Sequence, residues 1–166
     1  MNTEEKSNMY PKGNLKPLTE VNEFEFAEGF PDIRGWEVFD TDSHLFGKVR
    51  ELIVDPEKKK VRYLDIKLDK KLSRIIKDPV EDHGDHILVP IGKAAVVDKD
   101  DHIVLNGIHH EILVDYPIYS GNAETITRSY EHALVVLLSG QIEHHQVDEN
   151  FYEQKSFDES KISRKG

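Results

Sequence analysis

From residue 30 to residue 106 short β-favouring runs alternate with turn residues. Gly35–Asp40 sets Trp36 and Val38 on one face at the two-residue period of a strand. Asp42-Ser43-His44 turns the chain into Leu45–Asp55, and Gly47 inside that run marks a bulge or sharp bend. Asp55-Pro56-Glu57-Lys58-Lys59 is a hairpin turn with its φ set by proline. In the return strand Val61–Leu68, the alternation puts Leu64, Ile66 and Leu68 on one face and Asp65 and Lys67 on the other. A polar loop from Asp69 to Asp85 precedes the strand His86–Ile91, which Pro90 assigns to an edge or a strand end. Gly92–Val97 is expected as a short crossover, after which Asp100-Asp101 turns into the strand His102–Leu105. Strands of this length and spacing predict a mainly β domain, a small antiparallel barrel or half-barrel.

One helix is expected after the strands. Asn122 is placed to cap it, Glu124 lies in its first turn, and Ile126, Tyr130, Leu134 and Leu138 recur every four residues beside Ala133 and Leu137. Gly140 would end it. Its apolar stripe is expected to pack on the barrel in preference to forming a dimer surface, because a barrel of this size needs added apolar cover. The flanks differ in character. Residues 1–29 form an N-terminal arm, partly disordered or strapped over the core, in which Val21, Phe24 and Phe26 are the residues able to pack. Residues 30–120 hold the barrel and its extension, 121–140 the helix, and 141–166 a flexible polar tail from which Phe151 and Tyr152 can dock.

Charge narrows the range of partners. The chain has 22 Lys and Arg against 32 Asp and Glu, a net charge of −10 spread over arm, barrel and tail. Such a chain is self-repelling and poorly suited to sequence-blind binding of nucleic acid or anionic lipid. The absence of cysteine excludes disulfides, thiol catalysis and thiolate metal sites. The longest apolar run, Ala133–Leu138, is far too short for a membrane helix. The acidic N-terminal residues lack the apolar core of a signal peptide, so a cytoplasmic location is expected.

The order Ile33-Arg34-Gly35-Trp36-Glu37-Val38, Gly47-Lys48-Val49, Leu52-Ile53-Val54-Asp55, Val61-Arg62-Tyr63-Leu64 and Val89-Pro90-Ile91 resembles the PRC-barrel family. That family includes the cytoplasmic barrel of the photosynthetic reaction-centre H subunit and its relatives in non-photosynthetic bacteria. The segments from Asp115-Tyr116-Pro117 to Arg128-Ser129-Tyr130 look like those following the barrel in soluble relatives. The resemblance implies a PRC-type barrel that docks on other proteins or on itself as a homo-oligomer, a dimer among them, and carries no cofactor. It implies two further readings. One is an accessory factor for electron transfer or proton uptake at a membrane quinone complex, with peripheral association only, since this chain shows no H-subunit membrane helix. The other is a ribosome or RNA-maturation accessory, disfavoured because that branch's partner N-terminal barrel has no counterpart here.

Residue chemistry adds little to this. Asp82-His83-Gly84-Asp85-His86 gathers imidazoles and carboxylates on one loop, so His83, Asp85 and His86 are the candidate ligands for zinc or nickel. The bland alternative, solvated loop histidines, is preferred. His109-His110 and His144-His145 are vicinal pairs whose rings point to opposite sides of an extended backbone, so neither pair is expected to supply two ligands to one ion. Proton relay by histidines beside carboxylates is a further weak candidate. The lysines and arginines from Lys58 to Lys77 lack interleaved aromatics in their second half and read as a solvated rim. No nucleophile elbow, phosphate loop, dinucleotide fingerprint or zinc-protease motif occurs. No catalytic or cofactor-binding residue is assigned, and the expectation is a non-enzymatic binding module.

Overall fold

In the computed structural model, residues 14–22, 29–73, 85–97, 100–139, 151–160 and 162 are described. The long strands supply the frame. Leu45–Asp55 and Lys60–Leu68 pair antiparallel through the turn at residues 56–59, where the Asp55 carboxylate accepts the backbone N–H groups of Glu57 (3.0 Å) and Lys58 (3.1 Å). In chain order the strands are β1 (Lys16–Pro17), β2 (Glu37–Phe39), β3 (Leu45–Asp55), β4 (Lys60–Leu68), β5 (His86–Pro90), β6 (Ala94–Val97) and β7 (His102–Leu105). They form one curled sheet in the order β5-β4-β3-β2-β7-β6, and β1 pairs with the far end of β3. This is the expected half-barrel, with one departure from antiparallel pairing: β2 and β7 run parallel.

Three local expectations are corrected. Gly92–Val97 is not a crossover, because Ile91–Lys93 makes a single 3₁₀ turn and Ala94–Val97 continues as β6, paired to β7. Asp65 does not point to solvent. It is 1% exposed between the buried Leu64 and Ile66, because β4 is covered on both faces. Asn122 caps a separate 3₁₀ turn, Ala123–Thr125, through the Glu124 N–H. The helix itself runs Arg128–Ser139, and the Thr127 hydroxyl accepts the Tyr130 N–H at its start.

The helix packs on the barrel, with Leu134 and Val135 in the core, but its buried stripe is rotated from the expected one. Arg128 and Glu131 are buried while Ala133 is exposed. Both flanks reach the barrel too. Leu15 and Leu18, omitted from the expected packing residues of the arm, are buried where Lys16 and Pro17 pair with Val54 and Ile53. Phe151, Phe157 and Ile162 are buried, and the turn Lys155–Phe157 lies so close to the turn Ile91–Lys93 that a Cβ on Gly92 would stand 2.1 Å from the Lys155 carbonyl oxygen. Phe24, Phe26, His83, Gly140, His144 and His145 fall outside the described residues.

Candidate functional site

Of the expected ligand loop, Asp85 and His86 can be placed. His86 opens β5 opposite Lys67 of β4, which turns its ring towards Asp65. Its Nδ1 lies 2.8 Å from Asp65 Oδ1 and its Nε2 3.5 Å from Asp85 Oδ1, while Arg50 Nη1 stands 3.5 Å from Asp65 Oδ2. Both ring nitrogens thus face carboxylates, and each oxygen of the buried Asp65 has a polar neighbour. The arrangement is a polar strut between β3, β4 and β5 and leaves neither His86 nitrogen facing an open position.

A second, unexpected cluster forms where β2 ends. Asp40 is 1% exposed and closes the turn to β3: its N–H donates to the His44 carbonyl (2.9 Å), and its own carbonyl accepts from the Ser43 N–H (3.1 Å). Ser43 takes a left-handed φ of 66°, which brings the chain back so tightly that Asp40 Oδ1 accepts the N–H groups of both Asp42 and His44, each at 2.9 Å. The Thr41 hydroxyl donates to the Leu105 carbonyl at 3.0 Å and fastens this turn to β7. With Oδ1 held by the backbone, Oδ2 is directed at two imidazoles. His44 Nδ1 is 3.1 Å away, and His110 Nδ1, from the segment beyond β7, is 3.9 Å away. The two rings meet edge to face, their centroids 5.6 Å apart. Alongside, His109 Nδ1 is 3.3 Å from Asp42 Oδ2.

The electrostatics follow from this geometry. Burial works to raise the Asp40 carboxyl, but the backbone N–H and ring of His44, with the Asp42 N–H, together outweigh it and hold the group below the ordinary carboxylate range. Asp40 is therefore an anion at neutral pH, at the floor of a site whose histidines reach solvent. The sequence carries only part of this signal. The Asp40-to-His44 spacing inside a turn is visible, whereas the approach of His110 depends on the β2–β7 pairing.

Beside the cluster runs a groove of about 340 Å³ lined by Phe39, Asp40, Thr41, Ser43, Val97, His102 and Val104. Its far wall is β6, at the end of the strand order. Among the described residues no backbone hydrogen bond reaches the outer edge of β6, and Val97 is 39% exposed there. A larger depression of about 600 Å³ lies between the arm and the turn at 121–124, with Lys16, Glu20, Asn122 and Glu124 on its walls. Those side chains present no nucleophile–base pair.

The pattern of the PRC-barrel domain matches residues 27–112, and the curled sheet with its following helix is consistent with a PRC-type barrel. The match covers more than half of the chain, and the chain belongs to the PRC-barrel family, a family of protein-interaction domains. No curated protein matches it. Among the described residues no helix is long and apolar enough to cross a membrane.

Proposed function

We propose that the chain is a non-catalytic adaptor that works by docking, and that its first partner is a second copy of itself joined along β6. The observation carrying this reading is the outer edge of β6, at the end of the strand order and without a backbone hydrogen bond among the described residues, beside the groove of Phe39, Val97 and Val104. A strand edge with unpaired N–H and C=O groups pairs readily with another strand, and two copies of β6 laid antiparallel make a self-complementary two-fold contact. Apolar side chains along the groove would add burial to the main-chain bonds. The reading extends the H-subunit resemblance in one respect: docking rather than chemistry, in a cytoplasmic setting.

The experiment is sedimentation equilibrium across protein concentration and salt. Two copies each carrying −10 repel, so the dimer should tighten as salt rises and screening lengths shorten. Val97→Lys places a charge on the strand edge and should weaken the dimer at least about tenfold while leaving the circular dichroism spectrum unchanged. A wild-type chain that stays monomeric at about millimolar concentration, far above the range of specific association, would remove the self-docking reading. So would a dimer indifferent to Val97→Lys.

A further inference from the structure

We propose that Asp40, His44 and His110 form a binding site for a single borderline divalent transition-metal ion, zinc foremost. One oxygen and two imidazole nitrogens from these residues lie within 4.8 Å of one another, and the donor set suits zinc, which accepts His nitrogen and carboxylate oxygen.

The separations match what an ion requires. Ligands held about 2.0–2.1 Å from a tetrahedral ion stand about 3.3 Å apart. The Asp40 Oδ2 distances of 3.1 Å to His44 and 3.9 Å to His110 bracket that value. The His110 distance is too long for a hydrogen bond and within ion-pair range, and its ring rests edge to face on that of His44.

Asp40 has the features of a prepared ligand. Its Oδ1 is fixed by two backbone N–H groups, which orient the carboxylate and leave Oδ2 pointing at the histidines, as outer-shell partners do in metal sites. The same residues can be weighed as a plain turn cap, and for Oδ1 that description suffices. The His44 ring is held by its hydrogen bond to Oδ2, whereas His110, from a separate segment and 39% exposed at its side chain, turns Nδ1 towards the same buried oxygen from beyond hydrogen-bond distance. The vicinal His109 is turned to a different carboxylate. It reaches Asp42, and with Asp40 these two make a second, overlapping triad on the outer side. That division agrees with the opposite directions taken by neighbouring side chains. Three protein ligands leave an open coordination position at the rim of the groove, available to water or to a side chain of a docked partner. The site stands independently of the β6 dimer.

The test uses the full-length chain without an affinity tag, dialysed free of metal and titrated with zinc chloride by calorimetry. The expected result is one zinc per chain. His44→Ala and His110→Ala should each weaken binding at least about tenfold, the lower bound for losing even an outer-shell partner. His83→Ala and the double variant His144→Ala/His145→Ala should bind as the wild type does. Because His110 is on the surface, its variant should fold, and zinc should raise the melting temperature of the wild type but not of His110→Ala. Unchanged affinity in His44→Ala and His110→Ala, loss of binding in His83→Ala, or no binding at about 100 μM zinc would each overturn the proposal.

Discussion

Gly47→Ala is expected to cost about 3 kcal/mol or more of folding stability, an unusually large penalty for one added methyl group. Gly47 lies where the β2–β3 register shifts, opposite Val38 on one side and Leu68 on the other. A Cβ there would stand 2.0 Å from the Lys67 carbonyl oxygen, 2.9 Å from its carbon and 3.0 Å from the Leu68 Cα. All three are backbone atoms of the paired strand, so no side-chain rotation relieves the clash. The β3–β4 pairing itself must spread, and β4 is the strand that carries Tyr63, Asp65 and the other buried groups between the two faces. Urea unfolding followed by circular dichroism measures the effect. Lys48→Ala, at an exposed neighbouring position, should change stability by no more than about 0.5 kcal/mol. A Gly47→Ala loss below about 1 kcal/mol would mean that the two strands accommodate the methyl group by a backbone shift.

Gly47 is also a fair measure of what the sequence makes legible. A glycine inside a β-favouring run signals a bulge or a close approach, and here it marks both. Strand positions were readable for the same kind of reason: alternation and turn residues are local, and local chemistry sets them. What was not readable depends on distant chain segments. β6 reads as a connection because Ala94 and Ala95 carry no strong strand signal, and only its pairing to β7 makes it a strand. Asp65 alternates as a solvent-facing residue but is enclosed by Arg50 and His86, which come from neighbouring strands. The His110 ring reaches Asp40 because β2 lies parallel to β7, and no periodicity announces that contact. His86, a candidate ligand by residue type and spacing, stands with its ring nitrogens against Asp65 and Asp85. The helix shows the limit most clearly. A stripe chosen by hydrophobicity passes through Tyr130, Leu134 and Leu138, whereas the face that is buried includes the charged Arg128 and Glu131.

That buried charge leads to the largest effect expected of a side-chain truncation. Glu131→Ala should destabilise the fold by about 3–5 kcal/mol, because it removes one member of a desolvated network and leaves the others unmatched. Glu131 is fully buried, and its Oε1 accepts the Tyr63 hydroxyl of β4 at 2.9 Å and also the Tyr152 hydroxyl of the C-terminal segment. Arg128 Nε lies 3.5 Å from Oε2, an ion-pair distance without hydrogen-bond alignment, and its guanidinium stacks 4.4 Å from the Phe151 ring centroid. Arg62 covers the Tyr152 ring at 4.3 Å. One carboxylate thus ties the helix, the sheet and the C-terminal segment together, so its loss should release residues 151–157 as well as lower global stability. Protease cleavage within that segment, faster in Glu131→Ala than in the wild type under native conditions, is the accompanying readout. Glu131→Gln keeps an acceptor for both phenols and separates charge from hydrogen bonding. Burial is the largest influence on the Glu131 carboxyl and raises it above its ordinary value of 4.5; Arg128, Tyr152, Tyr63 and Arg62 offset this only in part. A carboxyl raised on folding holds its proton more tightly in the folded chain than in the unfolded one. Its stabilising share is therefore complete below the unfolded value and is lost as pH climbs through the folded value. Gln carries no such proton. The stability difference between Glu131→Gln and the wild type should accordingly move in the variant's favour from about pH 4 to about pH 7. Urea titrations at the two pH values measure it; a constant difference would mean that Arg128 and the hydrogen bonds cancel burial, and a move towards the wild type that they outweigh it.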